Sequence, residues 1–205
     1  MDKEKRVIIS TFFEGSAVKV AISKLSPDKL ILLIDEPTDS KKKETMHQKI
    51  SQLKDFFKGT LTIDTHKIHS YNIAGIMGDV IKIIDKESKD GNKILIHLTE
   101  GRKPTSLATL FATYLRKNKI EGAYYITEEE HDIIKLPSLT FQINETKKSF
   151  LKEISKGNKD FLKIGKKLGL KVSSTYQNMQ EMKEEGYIEN NKELKLTDLG
   201  GIMIL

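Results

Sequence analysis

The residues best suited to bind a ligand stand together at 98–106, where the sequence reads Leu-Thr-Glu-Gly-Arg-Lys-Pro-Thr-Ser. This segment leaves a predicted strand at 94–98 and enters a predicted helix. Gly101 allows the backbone to approach a ligand closely, the helix N-terminus favours an anion, and Arg102 and Lys103 add positive charge. Ligands of open α/β sheets bind beyond the carboxyl ends of the strands. The segment therefore predicts a phosphate-binding loop.

A second polar turn follows the first predicted strand and leads into a helix that begins near Ser16. Its residues are Ser10, Thr11, Phe12, Phe13, Glu14 and Gly15. Two turns of this kind at neighbouring strand ends would line one crevice. Capping and turn chemistry alone would explain either turn equally well, so that alternative stays open.

Several other chemistries are disfavoured by what the sequence lacks. It contains no G-x-G-x-x-G after the first strand and no G-x-x-x-x-G-K-[ST], the motifs of dinucleotide binding and of ordinary nucleotide hydrolysis. It has no cysteine, which removes disulfides, thiolate metal sites and cysteine nucleophiles. The histidines show no metal-ligand spacing with carboxylate support, so no metal and no cofactor are predicted. They are His47, His66, His69, His97 and His131.

The elements that must position these residues follow an alternating pattern of strand and helix. Buried strands are predicted at 7–13, 30–34, 61–63, 94–98 and 123–126, with a possible edge strand at 133–136. Two helical faces are predicted to cover the sheet; one has Met46, Ile50, Leu53 and Phe57, the other Leu107, Leu110, Phe111, Tyr114 and Leu115. The pattern is typical of a Rossmann-like α/β domain with a mostly parallel sheet.

A change of pattern near residue 144 predicts two domains, 1–144 and 145–205. Pro137 and the polar stretch at 144–148 precede three short amphipathic helices, a glycine turn at Gly169 and a hairpin about Asn190-Asn191. Ser173 and Ser174 are predicted to cap the third helix. The segment FLKIGKKLGLKVSSTYQNMQEMKEEGYI, followed by LKLTDLG, resembles winged helix-turn-helix regulators of the MarR and ArsR kind, an α+β fold.

That resemblance implies that the third helix enters the major groove of double-stranded DNA. The residues then placed to meet bases or phosphates are Ser173, Ser174, Tyr176 and Gln177, and the candidates for phosphate contacts are Lys163, Lys166, Lys167, Lys171 and Lys192. For any single lysine, a solvated surface position explains the residue equally well.

Charge favours an anionic partner without proving one. The chain carries a net charge of +6, and residues 145–205 hold 12 basic and 9 acidic side chains. This part contains no arginine, and its third helix carries Glu181, Glu184 and Glu185. Either the domain binds DNA weakly and needs a dimer, or it docks a protein.

No apolar run approaches the roughly 20 residues of a membrane span, so a cytoplasmic protein is expected.

Taken together, the first-strand turn, the 98–103 segment and the winged helix resemble the CRISPR-associated Rossmann-fold (CARF) regulators of archaea over the whole chain. The segment Thr99-Glu100-Gly101-Arg102-Lys103 is similar to that family's threonine-glycine-glycine-arginine or lysine loop, with Glu100 where the family often has glycine. The resemblance implies a homodimer whose two CARF domains share one pocket for a cyclic oligoadenylate, namely cyclic tetra-adenylate. Ligand binding would alter DNA binding and so regulate CRISPR-associated genes.

Two alternatives to a non-enzymatic regulator stay open. Some relatives cleave the cyclic oligoadenylate without a metal; in that case Ser10, Thr11 and Lys103 are the candidate catalytic residues by location. In the second alternative, the winged helix is an interaction module that docks CRISPR effector proteins; the missing arginines motivate it.

Overall fold

The apolar runs of the first 140 residues form one six-stranded sheet. In this computed structural model, which describes residues 4–138, 143–190 and 193–205, the strands follow the order β3-β2-β1-β4-β5-β6. The first five strands are parallel, and β6 pairs antiparallel with β5. They are β1 (Arg6–Thr11), β2 (Lys29–Ile34), β3 (Thr62–Lys67), β4 (Lys93–His97), β5 (Gly122–Ile126) and β6 (Ile133–Lys135).

Strand β3 differs from its prediction, which placed a strand at 61–63. It extends to Lys67 and lies at the edge of the sheet, where Thr62, Asp64 and Lys67 are exposed and Ile63 is buried. Polar side chains on an edge strand give little apolar signal, so the sequence revealed only the start of the strand.

Four helices connect the parallel strands: α1 (Ser16–Leu25), α2 (Ser40–Phe56), α3 (Ile73–Lys89) and α4 (Lys103–Leu115). Val18 of α1 and Met46 of α2 share a core with Ile8 and Leu30, so these helices cover one face. Helix α3 packs against α4, and its buried Ile84 lies outside that core, which places both helices on the other face. The carboxyl ends of the strands, where the predicted loops stand, remain open between the layers.

The predicted apolar face of α4 is wrong. Leu107 and Phe111 are 52% and 38% exposed, and the buried residues are Thr105, Ala108, Thr109, Ala112 and Thr113. Small side chains allow α4 to pack closely. The buried hydroxyls of Thr109 and Thr113 are satisfied because each donates to the carbonyl oxygen four residues earlier, at 2.8 and 2.7 Å.

The chain divides into two compact units, Met1–Thr140 and Phe141–Leu205. The second unit contains α5 (Glu145–Ser155), α6 (Phe161–Lys167), α7 (Val172–Glu184), β7 (Ile188–Asn190), β8 (Leu194–Leu196) and α8 (Asp198–Ile202). Its core includes the stacked rings of Phe150 and Phe161, whose centroids lie 4.3 Å apart. A Cβ atom at Gly165 would lie 2.2 Å from the Thr175 hydroxyl, so the contact of α6 with α7 depends on glycine there.

Helix α7 begins at Val172 with Lys171 as its N-cap, and no side chain caps it. The predicted capping by Ser173 and Ser174 is therefore wrong, because both residues already lie within the first turn. Strands β7 and β8 form an antiparallel hairpin. Asn191 of its predicted turn lies outside the described residues.

Within the described residues, no helix combines the length and the apolar composition that crossing a bilayer requires.

Candidate functional site

A cleft of about 820 Å³ opens at the carboxyl ends of the parallel strands in the first unit. Among the described residues that line it, three are aromatic, namely Phe12, Phe13 and Tyr71. Five are basic and one, Asp35, is acidic. The basic residues are Lys41, Lys42, Lys49, Arg102 and Lys103. Cations and exposed rings in one concave surface are the groups that bind phosphates and planar bases.

Arg102 is held in place at the mouth of this cleft. Its Nε lies 3.1 Å from Asp35 Oδ2, and its Nη1 donates to the Tyr71 hydroxyl at 2.9 Å. The guanidinium carbon also stands 5.7 Å from the centre of the Tyr71 ring. Because the Arg102 side chain is 48% exposed, its ion pair is weak and an incoming anion can bind the same guanidinium.

A network of hydrogen bonds fixes the position of the Asp35 carboxylate. The Ser70 backbone N–H donates to Asp35 Oδ1 at 3.3 Å, and the Ser70 hydroxyl donates to Oδ2. The same hydroxyl lies 3.2 Å from the Thr105 hydroxyl in the first turn of α4. This network joins the end of β2, the turn before α3 and the start of α4, so the three segments hold one wall of the cleft together.

Glu100 connects the two loops that the sequence singled out. Its Oε2 accepts hydrogen bonds from the backbone N–H groups of Phe13, Glu14 and Gly15 at 3.0, 2.9 and 2.7 Å. Its Oε1 accepts from Ala17 and Val18 at 2.8 and 3.3 Å. The anion-binding end of α1 is therefore filled by a carboxylate of the chain itself.

The structure brings about half of the predicted ligand-binding residues to the cleft. Phe12, Phe13, Gly101, Arg102 and Lys103 line it. Of the others, Glu14 lies 3.5 Å from Lys49 through an ion pair, and the N–H of Gly15 is bonded to Glu100.

Three predicted residues lie behind the cleft wall. Ser10 and Thr11 are fully buried and are not among the residues that line the cleft. The Ser10 hydroxyl donates to the Thr11 carbonyl oxygen at 2.9 Å and lies 2.8 Å from Nδ1 of buried His97. The Thr99 hydroxyl accepts from the Ile126 N–H at 2.7 Å and so fixes the end of β5.

Burial lowers the pKa of the His97 imidazole to about 4, and the charge of Glu100 only partly opposes the shift. The ring is therefore neutral near pH 7. Its Nε2 has no hydrogen-bond partner within the part of the chain that the structure describes. His97 contributes to the interior of the sheet and does not reach the ligand cleft.

Sequence reasoning missed Asp35, Tyr71 and the α2 lysines. A signal existed for Asp35, which follows the apolar run of β2 directly, as the 98–103 segment follows β4. No sequence pattern singled out Tyr71, whose ring reaches the cleft from the turn before α3. Among His, Asp and Glu side chains of the described ranges, no group of three could hold a metal ion.

In the second unit, the predicted DNA-contacting residues fall on the exposed surface of α6 and α7. Ser173, Tyr176 and Gln177 are exposed and Ser174 is half-buried. Gln177 donates to Glu181 Oε1 at 2.9 Å. The exposed lysines of this surface are Lys163, Lys166, Lys167 and Lys171, while Lys192 lies outside the described residues.

Two of these lysines and the acidic groups of α7 have partners. Lys167 lies 2.7 Å from Glu153, and Lys163 lies 3.6 Å from Asp160. Lys147, which is buried on α5, stands 2.9 Å from Glu181 and 2.6 Å from Glu185. Hydrogen bonds from Lys147 and Gln177 lower the pKa of Glu181. Lys147 supplies one positive charge beside the three negative charges of Glu181, Glu184 and Glu185, so it offsets them in part.

A protein family described as HFX_2341_N-like, N-terminal, matches residues 7–131. None of the curated proteins compared with the chain matches it.

Several solved structures resemble the chain at low sequence identity. Csm6 of Enterococcus italicus, bound to cyclic hexa-2'-fluoro-hexa-dAMP, is 10% identical with a TM-score of 0.56 over 75% of this chain and 48% of its own. Protein VC1899 from Vibrio cholerae is 10% identical with a TM-score of 0.52, over 96% and 63%. A type III CRISPR defence DNA nuclease activated by cyclic oligoadenylate is 11% identical with a TM-score of 0.50, over 72% and 22%. The chain thus spans less than two thirds of each, and these likenesses show the fold.

Proposed function

Because the chain belongs to the HFX_2341_N-like N-terminal family and its first unit has a Rossmann-like CARF fold, we propose that it is a sensor of cyclic oligoadenylate. The observation that carries this proposal is the cleft lined by five basic and three aromatic residues. We propose further that the ligand is cyclic tetra-adenylate and that its binding alters the attachment of the second unit to double-stranded DNA.

The chemistry of the cleft fits a nucleotide that presents several phosphates and bases. Phe13 and Tyr71 are 64% and 80% exposed, so their rings are free to stack on bases. Arg102 and the α2 lysines supply charge-assisted hydrogen bonds to phosphate oxygens. Two of the similar structures support this ligand class: one is bound to a cyclic hexanucleotide and one is activated by cyclic oligoadenylate.

The exposed apolar face of α4 supports a homodimer. Lys103, the first residue of α4, lines the cleft, and Leu107 and Phe111 continue along the exposed side of the same helix. A two-fold pair of α4 helices would bury these side chains and bring two clefts to one axis. A cyclic ligand with repeated units fits such an axis because it presents the same groups to both copies.

Features of the second unit support a winged helix-turn-helix that contacts DNA. Tyr176 and Gln177 are exposed near the start of α7, with Lys166 and Lys171 on the same surface. Pairing of Glu181 and Glu185 with Lys147 reduces the repulsion between α7 and phosphates. The function that we propose is thus that of a ligand-responsive transcription regulator of CRISPR-associated genes.

Calorimetric titration with cyclic tetra-adenylate tests the sensor. Arg102→Ala combined with Lys103→Ala should weaken binding roughly a hundredfold, since each charge-assisted hydrogen bond contributes about 1.5–3 kcal/mol. Lys58→Ala combined with Lys89→Ala is the matched control, because it removes the same charge from exposed positions that precede β3 and β4, at the amino ends of the strands.

Calorimetric titration of the wild-type protein decides whether the sensor proposal holds. If it does not bind cyclic tetra-adenylate or a longer ring, the sensor proposal fails. Chromatography of the recovered nucleotide distinguishes a pure sensor from a ring nuclease, since only the nuclease yields a linear product.

A further inference from the structure

The Glu100 carboxylate joins two loops of the first unit to each other. It comes from the loop after β4, yet all five of its backbone donors, at positions 13–15, 17 and 18, belong to the turn and first residues of α1. The residue is only 9% exposed. One buried negative charge therefore joins two loops that are separated by more than 80 residues in the sequence.

The backbone around this junction leaves little room for other arrangements. Gly101 adopts a φ of +90°, and a Cβ atom there would lie 3.1 Å from Cβ of Thr11. Gly15, on the other loop, has a φ of +89°. The Ser106 hydroxyl donates to the Glu100 carbonyl oxygen at 3.3 Å, which ties the same loop to the first turn of α4. The loop after β4 thus rests directly on the turn after β1.

The residues next to this junction are those that face the cleft. Gly101, Arg102 and Lys103 follow Glu100 directly, and all three line the cleft. On the other loop, Phe13 donates its N–H to Glu100 and exposes its ring at the cleft. One carboxylate consequently fixes the backbone of a basic segment and of an aromatic ring that a nucleotide would contact together.

We infer that Glu100 is a positioning residue of the cleft, which sets the separation of Phe13 from Arg102 and does not contact the ligand. This inference rests on the proposed function. It also assigns the side of the cleft on which the ligand phosphates bind. Because Glu100 satisfies the N-terminal N–H groups of α1, the ligand phosphates bind Arg102, Lys103 and the α2 lysines, and not the helix end.

Glu100→Gln tests this role, because glutamine keeps the size of the side chain but presents an NH₂ group to N–H donors. We expect ligand affinity to fall on the order of tenfold or more, as misplacement of binding groups by about 1 Å suffices for such a loss. Glu129→Gln, an exposed carboxylate after β5, is the control and should bind as the wild type does. Circular dichroism establishes that each variant is folded.

Chemical rescue separates positioning from general stability. Glu100→Gly leaves the five N–H groups without their carboxylate, and added formate should restore ligand affinity, whereas chloride at equal ionic strength should not. If Glu100→Gly instead binds cyclic tetra-adenylate more tightly than the wild type, the carboxylate blocks a phosphate site and the inference is wrong.

Amide NMR of the wild-type protein tests the inference without any substitution, and it therefore also applies if a variant fails to fold. Ligand should shift the amide signals of 101–103 and leave the N–H groups of Glu14, Gly15, Ala17 and Val18 bonded to Glu100 and protected from exchange. Loss of that protection on binding, or equal affinities of Glu100→Gln and the control, would overturn the inference while the sensor proposal stands. Absence of binding by the wild type overturns both.

Discussion

At the scale of single residues, contacts across the fold decide which side chains can act. Arg102 was predicted from its loop, but its partners Asp35 and Tyr71 come from two other strand ends. Glu100 stands in the predicted phosphate-binding loop, yet in the structure its carboxylate accepts hydrogen bonds from five backbone N–H groups of the chain itself. Sequence reasoning found the loops because they follow apolar runs, whereas the partners depend on which strand ends are neighbours in space.

The buried His97 gives a residue-scale prediction for stability against pH. Its pKa of about 4 lies below the ordinary 6.5 because burial disfavours the charged ring. The unfolded chain then binds more protons between these values, so stability is full above pH 6.5 and falls as the pH drops through this window. The free energy of unfolding should decrease by about 2–3 kcal/mol between pH 7 and pH 4.5.

Urea unfolding of the wild type and of His97→Gln at several pH values measures this effect. The variant lacks the titrating ring, so its stability should vary less over the same range. Glu36, whose pKa hydrogen bonds from Lys43 and Lys67 lower to about 2, contributes mainly at and below its ordinary pKa of 4.5 and does so equally in both proteins. Equal slopes for the two proteins would show that His97 is not the group responsible.

At the scale of elements, helix α4 shows how a periodic pattern can mislead. Leu107 and Phe111 have the spacing of a core-facing stripe, yet Ala108, Ala112 and the threonines face inward. Periodicity reports that one face is apolar but not what covers it. The alternation of strands and helices was predictable because it reflects burial of whole strands, while the polar edge strand β3 was recognised only in part.

Helix α4 carries the prediction about self-association. Phe111→Asp should convert the proposed dimer to a monomer, because an unpaired carboxylate cannot be buried against a second copy without a large desolvation cost. Sedimentation at several concentrations measures the change in mass. Phe56→Asp, at an exposed phenylalanine that ends α2 on the other face of the sheet, should leave the mass unchanged. A wild-type monomer, or a dimer insensitive to Phe111→Asp, would exclude α4 as the interface.

At the scale of the whole molecule, the proposal requires that two units act on one equilibrium. Ligand and DNA affinities must then change each other by the same factor, because coupling between two binding sites is reciprocal. The sequence predicts two domains because each part has its own hydrophobic periodicity, and the chain divides into two compact units, Met1–Thr140 and Phe141–Leu205. The coupling between the ligand site and the DNA site stays a prediction that rests on the family resemblance, because no hydrophobic pattern within one unit reports on the other.

DNA binding gives the whole-molecule prediction. Lys166→Ala combined with Lys171→Ala should lower the slope of log affinity against log salt by about 2 for each bound subunit, since each phosphate contact contributes about 0.9. Lys152→Ala, an exposed lysine of α5, is the control and should preserve the slope. Fluorescence anisotropy with DNA from upstream of the gene, and with a scrambled duplex, provides the measurement.

The same titration with cyclic tetra-adenylate present measures the coupling. A shift in DNA affinity supports regulation by the ligand. Equal affinity for both duplexes at every ligand concentration would instead favour an interaction module without sequence preference.

The two borders of the sheet have a consequence for the protein at high concentration. An unpaired strand can recruit a strand from another molecule, and repetition of that step produces fibres. Here β6 has three residues and β3 exposes Thr62, Asp64 and Lys67, so neither border offers a long apolar template. The proposed two-fold pairing of α4 would close after two copies, whereas growth along strands has no limit. The sheet therefore permits accumulation of the protein while it discourages open-ended polymerisation.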